Sequence, residues 1–215
     1  MLENIEIISP MEIENKSFQI ITEELGERRF PPLWENIIKR VIHTTADFDY
    51  ADNLYISENA VESGIEALKQ GCTIVTDTTM AMSGINKRIL SLLGCNVECF
   101  IADEDVKKEA KERGITRSAV AVEKAGRDKN IKIYVVGNAP TALISLYELI
   151  KSGKIEKPSL VVGVPVGFVN VVESKELFVN SDIPCIIARG RKGGSNVAAA
   201  IINAILYTIS ENRRD

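Results

Sequence analysis

From residue 53 onward, short apolar runs alternate with segments of helical spacing. No other feature of the chain limits its fold as much. Leu54–Ile56, Thr73–Thr76, residues 97–101, Ile131–Val136, residues 160–162 and residues 183–188 read as strands. Pro184 suits a strand start, where no ladder N–H is lost. Between the strands, apolar residues recur every three or four positions, as in Val61, Ile65 and Leu68. Helices are therefore predicted after Ser57 and over 81–93, 119–125, 140–150, 169–178 and 197–209, with 103–113 a solvated helix or loop. Ser57 and Ser118 are the expected N-caps, and Gly71, Gly94 and Gly153 the expected stops. This alternation predicts an α/β fold: one domain with a mostly parallel sheet and helices on both faces. The helix over 197–209 is apolar on most sides, so it must be buried in the fold or against a partner.

Residues 1–30 read as an N-terminal arm packing on the domain or on a partner, and residues 31–215 as the α/β domain. In the arm, Ile5-Glu-Ile-Ile8 is a short strand or a segment laid over a partner. Residues 13–25 form a helix that ends at Gly26. Pro31-Pro32 opens the next helix, where proline is tolerated. On that helix Trp34, Ile37, Ile38, Val41 and Ile42 share one face, while Asn36, Arg40 and His43 fall on another.

At 215 residues the chain buries a core without a disulfide or metal staple. Its net charge of −4 gives no general attraction to nucleic acid. No stretch approaches the roughly 18 consecutive apolar residues of a membrane span. Met1-Leu-Glu-Asn-Ile-Glu6 is acidic and lacks the basic start of a signal peptide, so a cytoplasmic location is expected. Cys72, Cys95, Cys99 and Cys185 form no CxxC pair, and one histidine does not complete a Cys/His zinc set. No protein-held metal is expected, and the cysteines read as buried thiols of a reducing compartment. The dinucleotide fingerprint, the P-loop and the Gly-x-Ser-x-Gly elbow are all missing from the sequence.

In open α/β sheets ligands bind beyond the carboxyl ends of the strands, and the unusual residues collect there. Thr76-Asp-Thr-Thr-Met-Ala-Met82, Gly137-Asn138, Gly163-Val-Pro-Val-Gly-Phe168 and Arg189-Gly-Arg-Lys-Gly-Gly-Ser195 each follow a strand. The last of these joins three cations to glycines and a helix N-terminus, a combination that favours an anionic ligand. His43 is the only histidine of the chain, and histidine is the side chain whose ordinary pKa lies nearest neutrality. His43 sits off the apolar stripe, so it reads as a solvated or a working residue rather than core filler.

Together these stretches resemble the precorrin-8X methylmutase family, which includes the cobalt-precorrin-8 methylmutases of the anaerobic route to cobalamin. The likeness rests on Ser17-Phe18, His43-Thr-Thr-Ala-Asp47, Thr76-Asp-Thr-x-Met80, Ser83-Gly-Ile85, Gly137-Asn-Ala-Pro-Thr141, Gly163-Val-Pro-Val-Gly-Phe-Val169, Glu173-Ser-Lys175 and Arg189-Gly-x-x-Gly-Gly-Ser195. It spans essentially the whole chain. It implies an α/β homodimer, a corrinoid substrate that is either metal-free or cobalt-loaded, and migration of a methyl group from C-11 to C-12 of the macrocycle. It implies no cofactor, because the reaction is an isomerisation, and no nucleic-acid or membrane partner. His43 matches the family's proposed proton donor. Ser17, Arg40, Thr76, Thr78, Met80, Ser83 and Asn138 become pocket candidates, and Arg189, Gly193, Gly194 and Ser195 candidates for carboxylate binding. Thr76 and Thr78 can equally bond local backbone at a strand end. The alternative reading is a corrinoid carrier without catalysis.

Overall fold

The computed structural model describes residues 9–211. The expected strand at Ile5–Ile8 lies outside the described residues. Three helices precede the sheet: α1 (Pro10–Leu25), α2 (Pro32–Thr45) and the short α3 (Tyr50–Asn53). The chain then runs β1 (Leu54–Ile56), α4 (Ala60–Lys69), β2 (Thr73–Thr76), α5 (Thr79–Gly84), α6 (Lys87–Leu92) and β3 (Asn96–Glu98). It continues through α7 (Glu104–Arg113), α8 (Arg117–Ala125), β4 (Ile131–Val136), α9 (Pro140–Lys151), β5 (Leu160–Gly163), α10 (Val171–Val179), β6 (Cys185–Ala188) and α11 (Ser195–Glu211).

The six strands form one sheet in the order β1-β6-β5-β4-β2-β3. Every pairing is parallel except that of β1, which lies antiparallel on the edge against β6. The mostly parallel sheet expected from the alternation is therefore present. Successive side chains of a strand point to opposite faces, and the core divides accordingly. Leu160, Val162, Ile186 and Ala188 pack with α2, α4 and α11 in one layer. Val161, Cys185 and Ile187 pack with α8, α9 and α10 in the other. α11 lies in the first layer, with Val197, Ala198, Ile201, Ile202, Ile205, Leu206 and Ile209 all buried. Each such aliphatic side chain contributes about 1.5–3 kcal/mol of transfer free energy. Ile21 and Leu25 carry α1 into the same layer.

Three local expectations are corrected. Ser57 does not cap α4; it locks the end of β1 to β6, donating its N–H to the Cys185 carbonyl and accepting the Cys185 N–H on Oγ, both at 2.9 Å. Residues 81–93 are two helices, not one. Asn86 starts the second by accepting the Ile89 N–H at 3.1 Å. Asn203 on α11 braces the break, accepting from the Asn86 N–H at 2.8 Å and donating to the Gly84 carbonyl at 2.9 Å. Thr116, not Ser118, caps α8, through the Ala119 N–H at 3.2 Å. At α8 a polar residue two positions earlier takes the cap, and Asn86 caps a new helix inside 81–93, whereas α4 starts at Asn59 without a side-chain cap. The segment 103–113, left open between helix and loop, is the helix α7, anchored by buried Val106 and Ala110.

Candidate active site

Parallel pairing places the carboxyl ends of β2, β4, β5 and β6 along one edge of the sheet. The loops after them are linked by backbone. The Val164 N–H donates to the Val136 carbonyl, and the Gly194 N–H donates to the Val164 carbonyl, each at 2.8 Å. The Gly167 N–H reaches the Arg191 carbonyl at 3.2 Å. This close stacking explains the glycines. A Cβ on Gly193 would lie 2.1 Å from the Val164 oxygen and 2.9 Å from the Pro165 oxygen. Both neighbours are backbone and have little room to yield. Gly193→Ala is accordingly expected to cost about 2–4 kcal/mol, read as a lower urea midpoint at unchanged slope. A Cβ on Gly137 would meet the Ser195 backbone at 2.8 Å, so that position too is held to glycine by close approach.

Thr78 and Ser195 are brought together, their hydroxyls 2.8 Å apart. Thr78 also caps α5 by accepting the Ala81 N–H at 3.1 Å. Thr76 is buried, and its hydroxyl faces the carbonyls of Thr78 and Glu98 at 3.0 and 3.3 Å, an arrangement of local backbone bonding. Ser17 likewise bonds back to the Ile13 carbonyl at 2.9 Å. Met80 is 71% exposed, and Ser83 and Asn138 are exposed on the same edge. Val166, Phe168 and Val169 add exposed apolar surface beside them, with the Arg191 guanidinium 5.5 Å over the Phe168 ring.

His43 is exposed on the last turn of α2, and its ring stacks on Phe18 of α1 with centroids 5.3 Å apart and planes 16° from parallel. Neither ring nitrogen bonds a described residue. Arg40 turns toward α1 and α11. It pairs with Glu14 at 2.7 Å and lies 4.6 Å over Phe18 and 5.0 Å over Tyr207. Its charge, one turn from His43, is thereby partly offset. Asp47 does not fold back on His43. It joins Asp49 in holding Lys192, each contact at 2.6 Å, and this lysine pulls the Asp47 carboxyl below the usual range. The clamp ties the end of α2 to the cationic loop after β6.

Arg189 is already engaged: its guanidinium grips Glu176 of α10 with two bonds of 3.0 Å. Its N–H donates to the Asn53 carbonyl at 2.8 Å, which anchors the start of the loop to the edge of β1. The cation of this loop left without an ion pair is Arg191, which is exposed; Lys192 is exposed too, but it is held by Asp47 and Asp49.

Two buried charged residues escape a reading of the sequence. Asp77, 6% exposed, accepts the N–H groups of Gly137, Asn138 and Ala139 at 2.8, 2.8 and 2.7 Å. Burial pushes its carboxyl above the usual range, against the pull of those donors. Lys175 is fully buried, and its Nζ donates to the Gly190 and Lys192 carbonyls at 2.8 Å each. Burial pushes its ammonium down to about 8. Helical spacing carried the signal for Lys175, since Val171, Ser174, Lys175 and Phe178 share the buried face of α10. Asp77 had no such signal, because its partners are backbone groups 60 residues away and more. The cysteines are free, with Cys72, Cys95 and Cys185 buried and Cys99 half-buried. Among the described residues no group of His, Cys, Asp and Glu is placed to hold a metal ion, and no helix is long and apolar enough to cross a membrane.

The sequence profile of the precorrin-8X methylmutase (CbiC) family matches residues 12–208. A cobalt-precorrin-8 methylmutase of Salmonella typhimurium is 51% identical over 213 residues, covering 95% of this chain and 98% of that one. One of Methanocaldococcus jannaschii is 42% identical over 202 residues, covering 91% of this chain and 92% of that one. The crystal structure of a precorrin-8x methyl mutase from Thermus thermophilus superposes with a TM-score of 0.85 at 37% identity, covering 93% of this chain and 98% of that one.

Proposed function

The chain belongs to the precorrin-8X methylmutase family, and from that premise we propose how its residues carry the reaction. The protein is an isomerase of cobalamin biosynthesis acting on precorrin-8 or its cobalt form. In the reading offered here, the C-11–methyl bond breaks and the C-12–methyl bond forms in one 1,5-sigmatropic shift. Nothing is oxidised or reduced, and no external methyl donor takes part. His43 lends a proton to a ring nitrogen near the migrating carbon, drawing electron density from the conjugated system, and takes it back when the shift is complete. General acid catalysis of this kind contributes about 10²–10⁴-fold, and holding the macrocycle in a reactive shape supplies much of the rest. The observation that carries the assignment is the exposed imidazole with both nitrogens free of described partners, its ring backed by Phe18.

Met80, Phe168 and Val169 offer apolar surface to a large flat ring, and Arg191 and the turn at Gly193–Ser195 offer a cation and N–H groups to its peripheral carboxylates. Thr78, Ser83 and Asn138 sit between these two kinds of surface as polar contacts. Ser17, Thr76, Arg40 and Arg189 shape the site through the bonds described above rather than by direct contact with substrate.

Absorbance spectra of the protein mixed with metal-free and with cobalt-loaded precorrin-8 test activity and preferred substrate together. Conversion of either to the hydrogenobyrinate or cobyrinate spectrum is expected. Tight binding of both without conversion would identify a corrinoid carrier instead.

The active unit in this reading is a homodimer. Phe168 and Val169 are 82% and 77% exposed, and Ile13 and Ile20 leave further apolar surface on α1. Exposed apolar side chains on two elements support an interface between copies of the chain. Sedimentation equilibrium is expected to return about twice the 23.7 kDa of one chain, and a monomer at micromolar concentration would overturn this part of the reading.

A further inference from the structure

Lys175 has no role in the chemistry proposed above, yet it occupies a costly position. A lysine with no exposed surface gives up the hydration of its ammonium, and a methionine of similar length would fill the same space without that cost. No ion pair links it to a described carboxylate. Glu176, its neighbour on α10, is taken by Arg189, and Asp47 and Asp49 are taken by Lys192. Its Nζ instead meets two carbonyl oxygens of the loop after β6, those of Gly190 and Lys192.

The consequence follows from the peptide plane. In a trans peptide the C=O of one residue and the N–H of the next point in opposite directions, and no peptide among the described residues is cis. Drawing the Gly190 and Lys192 carbonyls inward therefore turns the N–H groups of Arg191 and Gly193 outward. Neither N–H donates to a described acceptor. The positive φ of Gly190 (75°) and Gly193 (157°) allows the turns that bring alternate carbonyls to one point. The outward face then carries two aligned backbone donors, flanked by the Arg191 side chain. Successive N–H groups turned to one side make an anion-binding concavity.

We propose that Lys175 is the positioning residue of a carboxylate-binding nest: its buried ammonium gathers the Gly190 and Lys192 carbonyls, so that the Arg191 and Gly193 N–H groups face a peripheral carboxylate of the substrate. Lys175 acts through the loop and touches neither substrate nor the reacting atoms. This rests on the reading that the loop grips an anionic corrinoid, and the experiment separates the two.

Steady-state kinetics of Lys175→Met are expected to show KM raised about tenfold, the loss of one good carboxylate contact, with kcat within about threefold. A merely structural lysine would lower kcat through the folded fraction and leave KM alone. Lys175→Gln keeps a donor of shorter reach and is expected to fall between the wild type and Lys175→Met. Arg191→Ala reports on the reading beneath: if it raises KM while both folded Lys175 variants keep the wild-type value, the loop binds substrate but the proposal is wrong. If no variant moves KM, proposal and reading fall together. The wild-type protein gives a readout independent of folding. On addition of hydrogenobyrinate, the amide protons of Arg191 and Gly193 are expected to move downfield in a ¹H–¹⁵N spectrum. Unmoved amides at saturating product would overturn the nest.

Discussion

His43→Ala is expected to lower the conversion of precorrin-8 by at least about 100-fold while leaving product affinity within about tenfold. The split follows from where the imidazole stands. It lies on the last turn of α2, exposed, with no hydrogen bond that the fold needs. Its one ring contact, the stack on half-buried Phe18, is an aromatic pair worth about 0.5–1.5 kcal/mol, so removal does not threaten folding. α2 is instead held by Ile37, Ile38, Val41 and Ile42, all buried against the first layer of the core. The groups assigned to substrate binding sit on other loops, so a binding defect is not expected to accompany the loss of turnover. Rates are to be measured with enzyme in excess, where product release does not limit.

Asp77→Ala is expected to destabilise the protein by about 3–5 kcal/mol, the largest loss of stability among the site residues. One carboxylate closes three backbone donors of the turn after β4. Alanine leaves the Gly137 and Ala139 N–H groups buried without an acceptor, while the N–H of exposed Asn138 can turn to water. The turn also abuts the start of α11 at Ser195, where a Gly137 side chain would not fit, so loosening it disturbs the Thr78–Ser195 contact as well. Asp77→Asn keeps one acceptor oxygen but turns an amide N–H₂ toward a donor, and about half the loss is expected. The pH dependence has a definite sign. Burial raises the Asp77 carboxyl above its ordinary value, so the folded state takes up this proton more readily than the unfolded chain. The contribution of Asp77 to stability therefore declines as pH rises through its folded value. The stability gap between wild type and Asp77→Asn is expected to widen as pH is lowered toward the ordinary Asp range. Urea titrations at several pH values read both effects.

Periodicity was a good guide wherever one element's own sequence decided the outcome. The alternation of β2, β4, β5 and β6 with helices is plain in their apolar runs, and parallel pairing then assembled four polar loops at one edge without further information. The opposite face of α2 also followed from spacing alone, which is why His43 stands clear of the core. What spacing did not reveal were contacts between distant segments. Arg189 read as a free cation because nothing local marks Glu176 as its partner, and Asp77 read as one polar residue of a strand end because its donors belong to a turn after β4. The break at Ile85-Asn86 was hidden for the same reason, since the residue that braces it, Asn203, comes from the last helix. Lys192 showed its charge but not its clamp on Asp47 and Asp49, which joins the His43 helix to the anion loop.

Precorrin-8 carrying a ¹³C-labelled methyl group at C-11, incubated with the wild-type protein, tests the central claim most directly. The labelled resonance is expected to move from its C-11 position to that of a C-12 methyl group within the absorbance-detected turnover, and to stay at C-11 with His43→Ala. A label that remains at C-11 in the wild-type complex, while the corrinoid is demonstrably bound, would contradict the account.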